Sequence, residues 1–267
     1  MAPKTEPAPI IWHGELASTN SHAMALAARG EAGPVWIAAR RQTAGRGRSG
    51  RSWEVDEGNL AASLIFTPSA PPSDLAQLSF VAGVAAFDAI ADVMSNRDGE
   101  TSANQLKSGM QLKWPNDILI DGAKVAGLLV ETTMVGREMR AIIGVGINVV
   151  SAPVFTDRET TALQVLVPAS AQTKGAPISA EIVLDKLSRH IARELETWAN
   201  GDGFSKVREA WLARGLPIGA AMRVHTGNAQ RSGTFAGLDA DGALLIREPT
   251  GSVLRLTYGD VTVNRAG

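Results

Sequence analysis

The stretch Arg40-Arg-Gln-Thr-Ala-Gly-Arg-Gly-Arg-Ser-Gly-Arg51 holds five arginines, three glycines and no acid. Planar guanidinium forks suit phosphate and carboxylate oxygens, and glycines let a loop fold closely over a bound anion. The same composition also fits a solvated basic loop or a nonspecific nucleic-acid contact. Gly45 to Gly50 matches G-x-G-x-x-G, and Gly45 to Ser52 nearly matches a phosphate-binding loop, with Arg51 where lysine should stand. Both motifs need a helix opening at the loop, so that its positive end meets phosphate. Here Trp53-Glu-Val-Asp-Glu-Gly-Asn-Leu60 leads through turn residues into a strand, and neither motif has its context.

A second constellation is Lys113-Trp-Pro-Asn-Asp117, followed by Asp121-Gly122 and Lys124. Two apolar runs joined by Asp-Gly predict a hairpin, because both central positions of a type I′ turn take positive φ. In that register Lys124 lies opposite Leu119 and Asn116 opposite Gly127, and alternation places Lys124 on one face with Ala126 and Leu128. A lysine opening an apolar strand can equally be a surface residue at the strand end.

The elements that must position these groups follow from periodicity. Ser18 and Thr19 precede an Ala/Leu-rich stretch closed by Gly30, which predicts a capped helix. Strands are predicted at Val35–Ala39, Leu60–Phe66, Gln111–Ile120, Ala123–Glu131 and Met139–Val150. Asp74–Met94 predicts a long buried helix, 95–108 a polar surface excursion, 151–177 an irregular stretch and Ile178–Trp198 an amphipathic helix. After Leu216-Pro217, short β-like segments punctuated by Gly and Asp suggest a small β-barrel. The division expected is a flexible tail over 1–9, a main domain over 10–216 and the barrel over 217–267.

The 267 residues are ample for a real core. Cysteine is absent, which excludes disulfides, thiolate nucleophiles and Cys-ligated metals. Lys and Arg number 26 against 27 Asp and Glu, so nothing global steers the chain to nucleic acid or anionic membrane. No uninterrupted apolar run approaches a bilayer span, and Met1–Pro9, with Lys4, Glu6 and three prolines, does not read as a secretory signal. A cytoplasmic protein is expected.

Ser18-Thr-Asn20, the Gly45–Arg51 loop with Trp53, Lys113-Trp-Pro-Asn-Asp117, Lys124-Val-Ala-Gly-Leu-Leu-Val-Glu131 and Gly144-Val-Gly-Ile-Asn148 occur in this order along the chain. Together they closely resemble the biotin protein ligase family over about residues 10–265. The resemblance implies activation of biotin with ATP to biotinyl-5′-adenylate, then transfer to a lysine of a biotin carboxyl carrier protein such as that of acetyl-CoA carboxylase. It implies an α+β fold: a mixed, largely antiparallel sheet with helices and a small C-terminal β-barrel.

By resemblance, Ser18, Thr19, Asn20 and Gln42 line the polar end of the biotin pocket. Arg46, Gly47 and Arg48 belong to the loop that closes over the intermediate, with Arg48 meeting carboxylate and phosphate. Lys124 is the active-site lysine, bridging the biotin carboxyl and the phosphoryl group. Trp53 packs on adenine, while Arg51, Asn116, Asp117 and Asn148 stand on the nucleotide side, Asp117 through magnesium; no protein metal cluster is expected.

Ser49 stands where many relatives carry a second basic residue. Only nine residues precede Ile10, so the resemblance implies a short form without DNA binding, acting as monomer or homodimer away from membranes. A lipoate or octanoate ligase shares the fold and is the alternative enzyme. A single-stranded nucleic-acid module using the arginines with Trp53 is the alternative of another class.

Overall fold

The computed structural model describes residues 7–53, 55–156, 158–167, 177–227 and 229–263, with the backbone alone described for 96–108. Residues 1–6 of the expected tail, and 157 and 168–176 of the expected irregular stretch, lie outside the described residues. Seven strands form the main sheet: β1 (Ile10–Leu16), β2 (Val35–Gln42), β3 (Leu60–Phe66), β4 (Met110–Lys113), β5 (Asp117–Ile120), β6 (Ala123–Val135) and β7 (Glu138–Ile147). Their order is β1-β2-β3-β7-β6-β5-β4, with only β1 and β2 running parallel, so the sheet is mixed and largely antiparallel as expected.

Helices cover the sheet unequally. On one face, α2 (Leu78–Gly109) and α3 (Ala180–Trp198) bury a core that includes Trp36, Leu64, Ile90, Ile143, Val145 and Leu187. The stripe Val183, Leu184, Leu187 and Ile191 supplies the buried side of α3. On the other face, α1 (Thr19–Ala28) covers only one end, packing Ala23 and Ala27 against Ile37, Ile65 and Ile142. The rest of that face is left to the cavity described below.

A second, five-stranded antiparallel sheet follows a further helix, α4 (Phe204–Arg214). It contains β8 (Ala221–Thr226), β9 (Ala229–Leu238), β10 (Leu244–Arg247), β11 (Val253–Leu256) and β12 (Asp260–Val263) in the order β11-β10-β9-β8-β12. Trp114 Nε1 donates to Gly242 O at 3.1 Å, one of the contacts that seat this sheet on the first.

Four expectations are corrected. Gln111–Ile120 is not one strand: the chain turns at Trp114-Pro-Asn116 and returns as β5, because proline has no N–H with which to continue a ladder. The Asp121-Gly122 turn forms with φ of 50° and 81°, and Lys124 does pair with Leu119. A β-bulge follows, however, so that Asp117 rather than Asn116 lies opposite Gly127. The extra residue, Val125, turns Lys124 away from the face of Ala126 and Leu128 and toward that of Gly127. The fourth correction concerns 95–108, which continues the backbone of α2 instead of leaving it.

The segment Pro72–Ser95 is long and apolar enough by composition to cross a membrane, and its most apolar stretch is 78% buried inside the fold.

Candidate active site

The open face of the main sheet owes its depth to small residues. In β7 alternate positions point to opposite faces: Ile143, Val145 and Ile147 enter the helical core, while Gly144 and Gly146 face the cavity. A Cβ on Gly144 would overlap the Asn20 amide, and one on Gly146 would overlap the indole of Trp53. These two glycines let α1 and the arginine loop approach the sheet.

The cavity has a volume of about 750 Å³. All thirteen site residues expected from the sequence line it, although they come from separate segments of the chain: Ser18, Thr19, Asn20, Gln42, Arg46, Gly47, Arg48, Arg51, Trp53, Asn116, Asp117, Lys124 and Asn148.

At one end the polar groups are buried and tied together. Ser18 caps α1, its hydroxyl accepting from Ser21 N at 3.3 Å, and still lines the cavity. Gln42 Oε1 accepts from Thr19 N at 2.9 Å and from Thr19 Oγ1 at 3.2 Å, while its Nε2 donates to Trp53 O at 3.0 Å. The Ser63 hydroxyl lies 2.8 Å from Thr19 Oγ1 and 2.6 Å from Asn20 Oδ1. Buried polar groups carry such partners because an unpaired one costs about 1–3 kcal/mol.

The loop after β2 makes a short turn over 48–50 and no α-helix opens from it, which removes the two dinucleotide and phosphate-loop motifs. Gly47 N donates to Arg51 O at 2.7 Å, closing the loop on itself. Arg46 pairs with Glu131 at 3.3 Å and Arg51 with Asp260 at 2.7 Å, whereas Arg48 reaches the carbonyl of Gly259 at 3.4 Å. Trp53 is half-buried rather than a core residue, with Lys124 Nζ 5.1 Å from its ring centre.

At the other end Asp117 accepts from two ammonium groups, Lys113 at 2.8 Å and Lys124. Burial would push the Asp117 carboxyl up, but the charges of Lys124 and Lys113 outweigh it and hold it at about 2. Burial pushes the Lys124 ammonium below its ordinary value, against the opposing pull of Asp117. The Lys124 backbone is gripped on its far side, its N–H donating to Glu159 O and its carbonyl accepting from Thr161 N. Asn148 holds the same corner by donating to Thr161 O at 3.0 Å, and Asn116 donates to Leu128 O at 2.6 Å.

Two oxygens of Asp117 engaged by two lysines do not fit a magnesium ligand, and among the described residues no group of three His, Cys, Asp or Glu side chains could hold a metal. The Asp117 carboxylate is paired with cations already in the fold and offers no free donor set for the expected contact through magnesium.

Ser63, Glu131 and Asp260 join the site without having been expected there. Ser63 sits in an otherwise apolar strand, which is its one visible signal, and Asp260 belongs to a sheet about 210 residues from the loop it meets. Lys113 was visible within its motif but gained its role only when the turn at Pro115 brought Asp117 beside it.

The model of the biotin/lipoate A/B protein ligase family matches residues 18–148, and that of the biotin protein ligase C terminal domain matches residues 218–263. Over 239 residues the chain is 38% identical to the biotin–[acetyl-CoA-carboxylase] ligase of Paracoccus denitrificans, covering 88% of this chain and 92% of that protein. The fold matches biotin protein ligase from Aquifex aeolicus in complex with biotin and ATP, with TM-score 0.73, 24% identity, and coverage of 97% and 99% of the two chains. It also matches biotin protein ligase from Leishmania major in complex with biotinyl-5-AMP, with TM-score 0.61, 26% identity, and coverage of 94% and 99%. The chain belongs to the biotin protein ligase family, and its activity is biotin ligation.

Proposed function

We propose that this enzyme joins biotin to ATP and then passes the biotinyl group to a lysine of a biotin carboxyl carrier protein. In the first step a carboxylate oxygen of biotin attacks the α-phosphorus and pyrophosphate leaves, giving biotinyl-5′-adenylate. In the second the carrier amine attacks the acyl carbon, AMP leaves with the bonding pair, and the amine proton is lost to solvent.

The observation that carries this reading is the convergence of the thirteen residues on one cavity with a neutral polar end and a cationic end. Thr19, Asn20 and Gln42 suit a ureido ring, whose recognition by buried hydrogen bonds rejects ligands that lack them. Lys124, in van der Waals reach of the open face beside Gly127, is positioned to meet charge developing between carboxylate and phosphate; such a group contributes about 10²–10³ in rate. Arg48, the loop arginine with a carbonyl rather than a carboxylate partner, is the one ready to exchange that partner for a ligand oxygen. Trp53 offers a stacking face for adenine.

The Leishmania relative binds biotinyl-5-AMP, and the Paracoccus relative is named for acetyl-CoA carboxylase; both support extending these ligands to this chain. Magnesium would come as the counter-ion of the triphosphate substrate. The test is biotin-dependent ATP–pyrophosphate exchange, followed by transfer of label from the enzyme to purified carrier domain. Exchange that needs lipoate instead of biotin would favour the lipoate alternative, and no exchange with either would remove the reading.

A further inference from the structure

Glu131 is an acid beside a site built for anions, and the charge balance alone gives no reason for it. Its geometry does. It lies on β6 two residues beyond Leu129, on the cavity face, next to the place where Gly144 lets Asn20 descend onto the sheet. One amide proton of Asn20 goes to Glu131 Oε2 at 2.9 Å, and Asn20 Nδ2 also lies 3.3 Å from Leu129 O. A carboxylate and a carbonyl can only accept, so they force the NH₂ of Asn20 toward themselves and its Oδ1 toward the Ser63 hydroxyl at 2.6 Å. Both donors are then committed, and what Asn20 has left is a lone pair on Oδ1. The same Glu131 carboxylate lies 3.3 Å from Arg46 Nη2 through each oxygen, tying the loop to the pocket floor.

We infer that Glu131 is a positioning residue that fixes Asn20 as a hydrogen-bond acceptor, so that this point of the cavity selects a ligand carrying an N–H. The inference rests on the biotin reading above, in which that N–H belongs to the ureido ring. It gives a physical reason for rejecting lipoyl or octanoyl chains, which have no N–H to offer. It also assigns Arg46 a part in the pocket through Glu131, in addition to any direct contact with ligand.

The test is a comparison of wild type, Glu131→Ala and Glu131→Gln, using biotin and the two analogues methylated on one or the other ureido nitrogen. Biotin-dependent ATP–pyrophosphate exchange gives KM for each ligand and for ATP, and thermal melting checks the fold. Wild type should reject at least one methylated analogue by about tenfold or more, the equivalent of one hydrogen bond. Glu131→Ala should raise the biotin KM by about tenfold, leave the ATP KM within about twofold, and reduce the rejection to less than about threefold. Glu131→Gln, whose Oε1 can still accept from Asn20, should retain the rejection. Wild-type rejection that persists in Glu131→Ala overturns the inference, as do equal rises in the biotin and ATP KM or equal binding of all three ligands by wild type. Absence of biotin-dependent exchange in the wild type overturns the ligase reading itself, a distinct outcome.

Discussion

Replacing Asp117 with Asn removes the carboxylate that two ammonium groups share and leaves Lys113 and Lys124 around a neutral amide. In the folded protein that carboxyl titrates at about 2 against an ordinary 3.8, because Lys124 and Lys113 outweigh the penalty of burial. A depression of this size is worth about 2–3 kcal/mol of stability at pH 7. The folded value lies below the unfolded one, so this contribution is complete above about pH 5 and is lost as the pH falls toward 2.

Asp117→Asn should therefore unfold more easily at pH 7 by about 2–3 kcal/mol, and most of the gap should close near pH 2. Urea titrations followed by tryptophan fluorescence at a series of pH values read the difference directly. The variant should also lose adenylation at a lower pH than wild type as the solution becomes alkaline. Its Lys124 keeps the lowering effect of burial but loses Asp117, the group that opposes it. A stability gap that stays constant with pH, or one below about 1 kcal/mol at pH 7, would show that the two lysines do not hold this carboxyl down.

Other perturbations separate the two ends of the cavity. Lys124→Ala should fold and bind biotin but lose about a hundredfold or more in biotin-dependent pyrophosphate exchange, since it removes charge needed in the transition state. Gly146→Ala intrudes on Trp53 and should raise the ATP KM, whereas Gly144→Ala intrudes on Asn20 and should raise the biotin KM; steady-state kinetics with each substrate varied distinguishes them. Asp260→Asn frees Arg51 from the second sheet and should speed release of the bound adenylate in a rapid-dilution assay. Its melting temperature should barely move, because an exposed ion pair contributes at most about 1 kcal/mol.

Much of this architecture is legible in the residues, for reasons that differ by element. The Asp121-Gly122 turn declares itself through its need for positive φ, and α3 through its apolar stripe. Gly144-Val-Gly-Ile-Asn148 is readable as a strand with one bare face. The side on which Lys124 emerges was not legible, because nothing in Ala123–Glu131 marks Val125 as the bulged residue, and a one-residue shift reverses every side chain after it. Nor did periodicity find β1, which lies at the sheet edge with a mixed burial pattern. Glu131 and Asp260 carried no signal of their own, since their meaning comes from the arginines that a long-range fold brings to them.

If the cavity makes a mixed anhydride from biotin and ATP, mass spectrometry of a single-turnover mixture will show it. Purified enzyme with ATP-magnesium and biotin should yield biotinyl-5′-adenylate bound to the protein, Lys124→Ala should yield little or none, and lipoate in place of biotin should yield no corresponding adenylate. Equal adenylate from wild type and Lys124→Ala would rule out Lys124 as the adenylation lysine, and a lipoyl adenylate formed in preference to the biotinyl one would rule out biotin as the substrate.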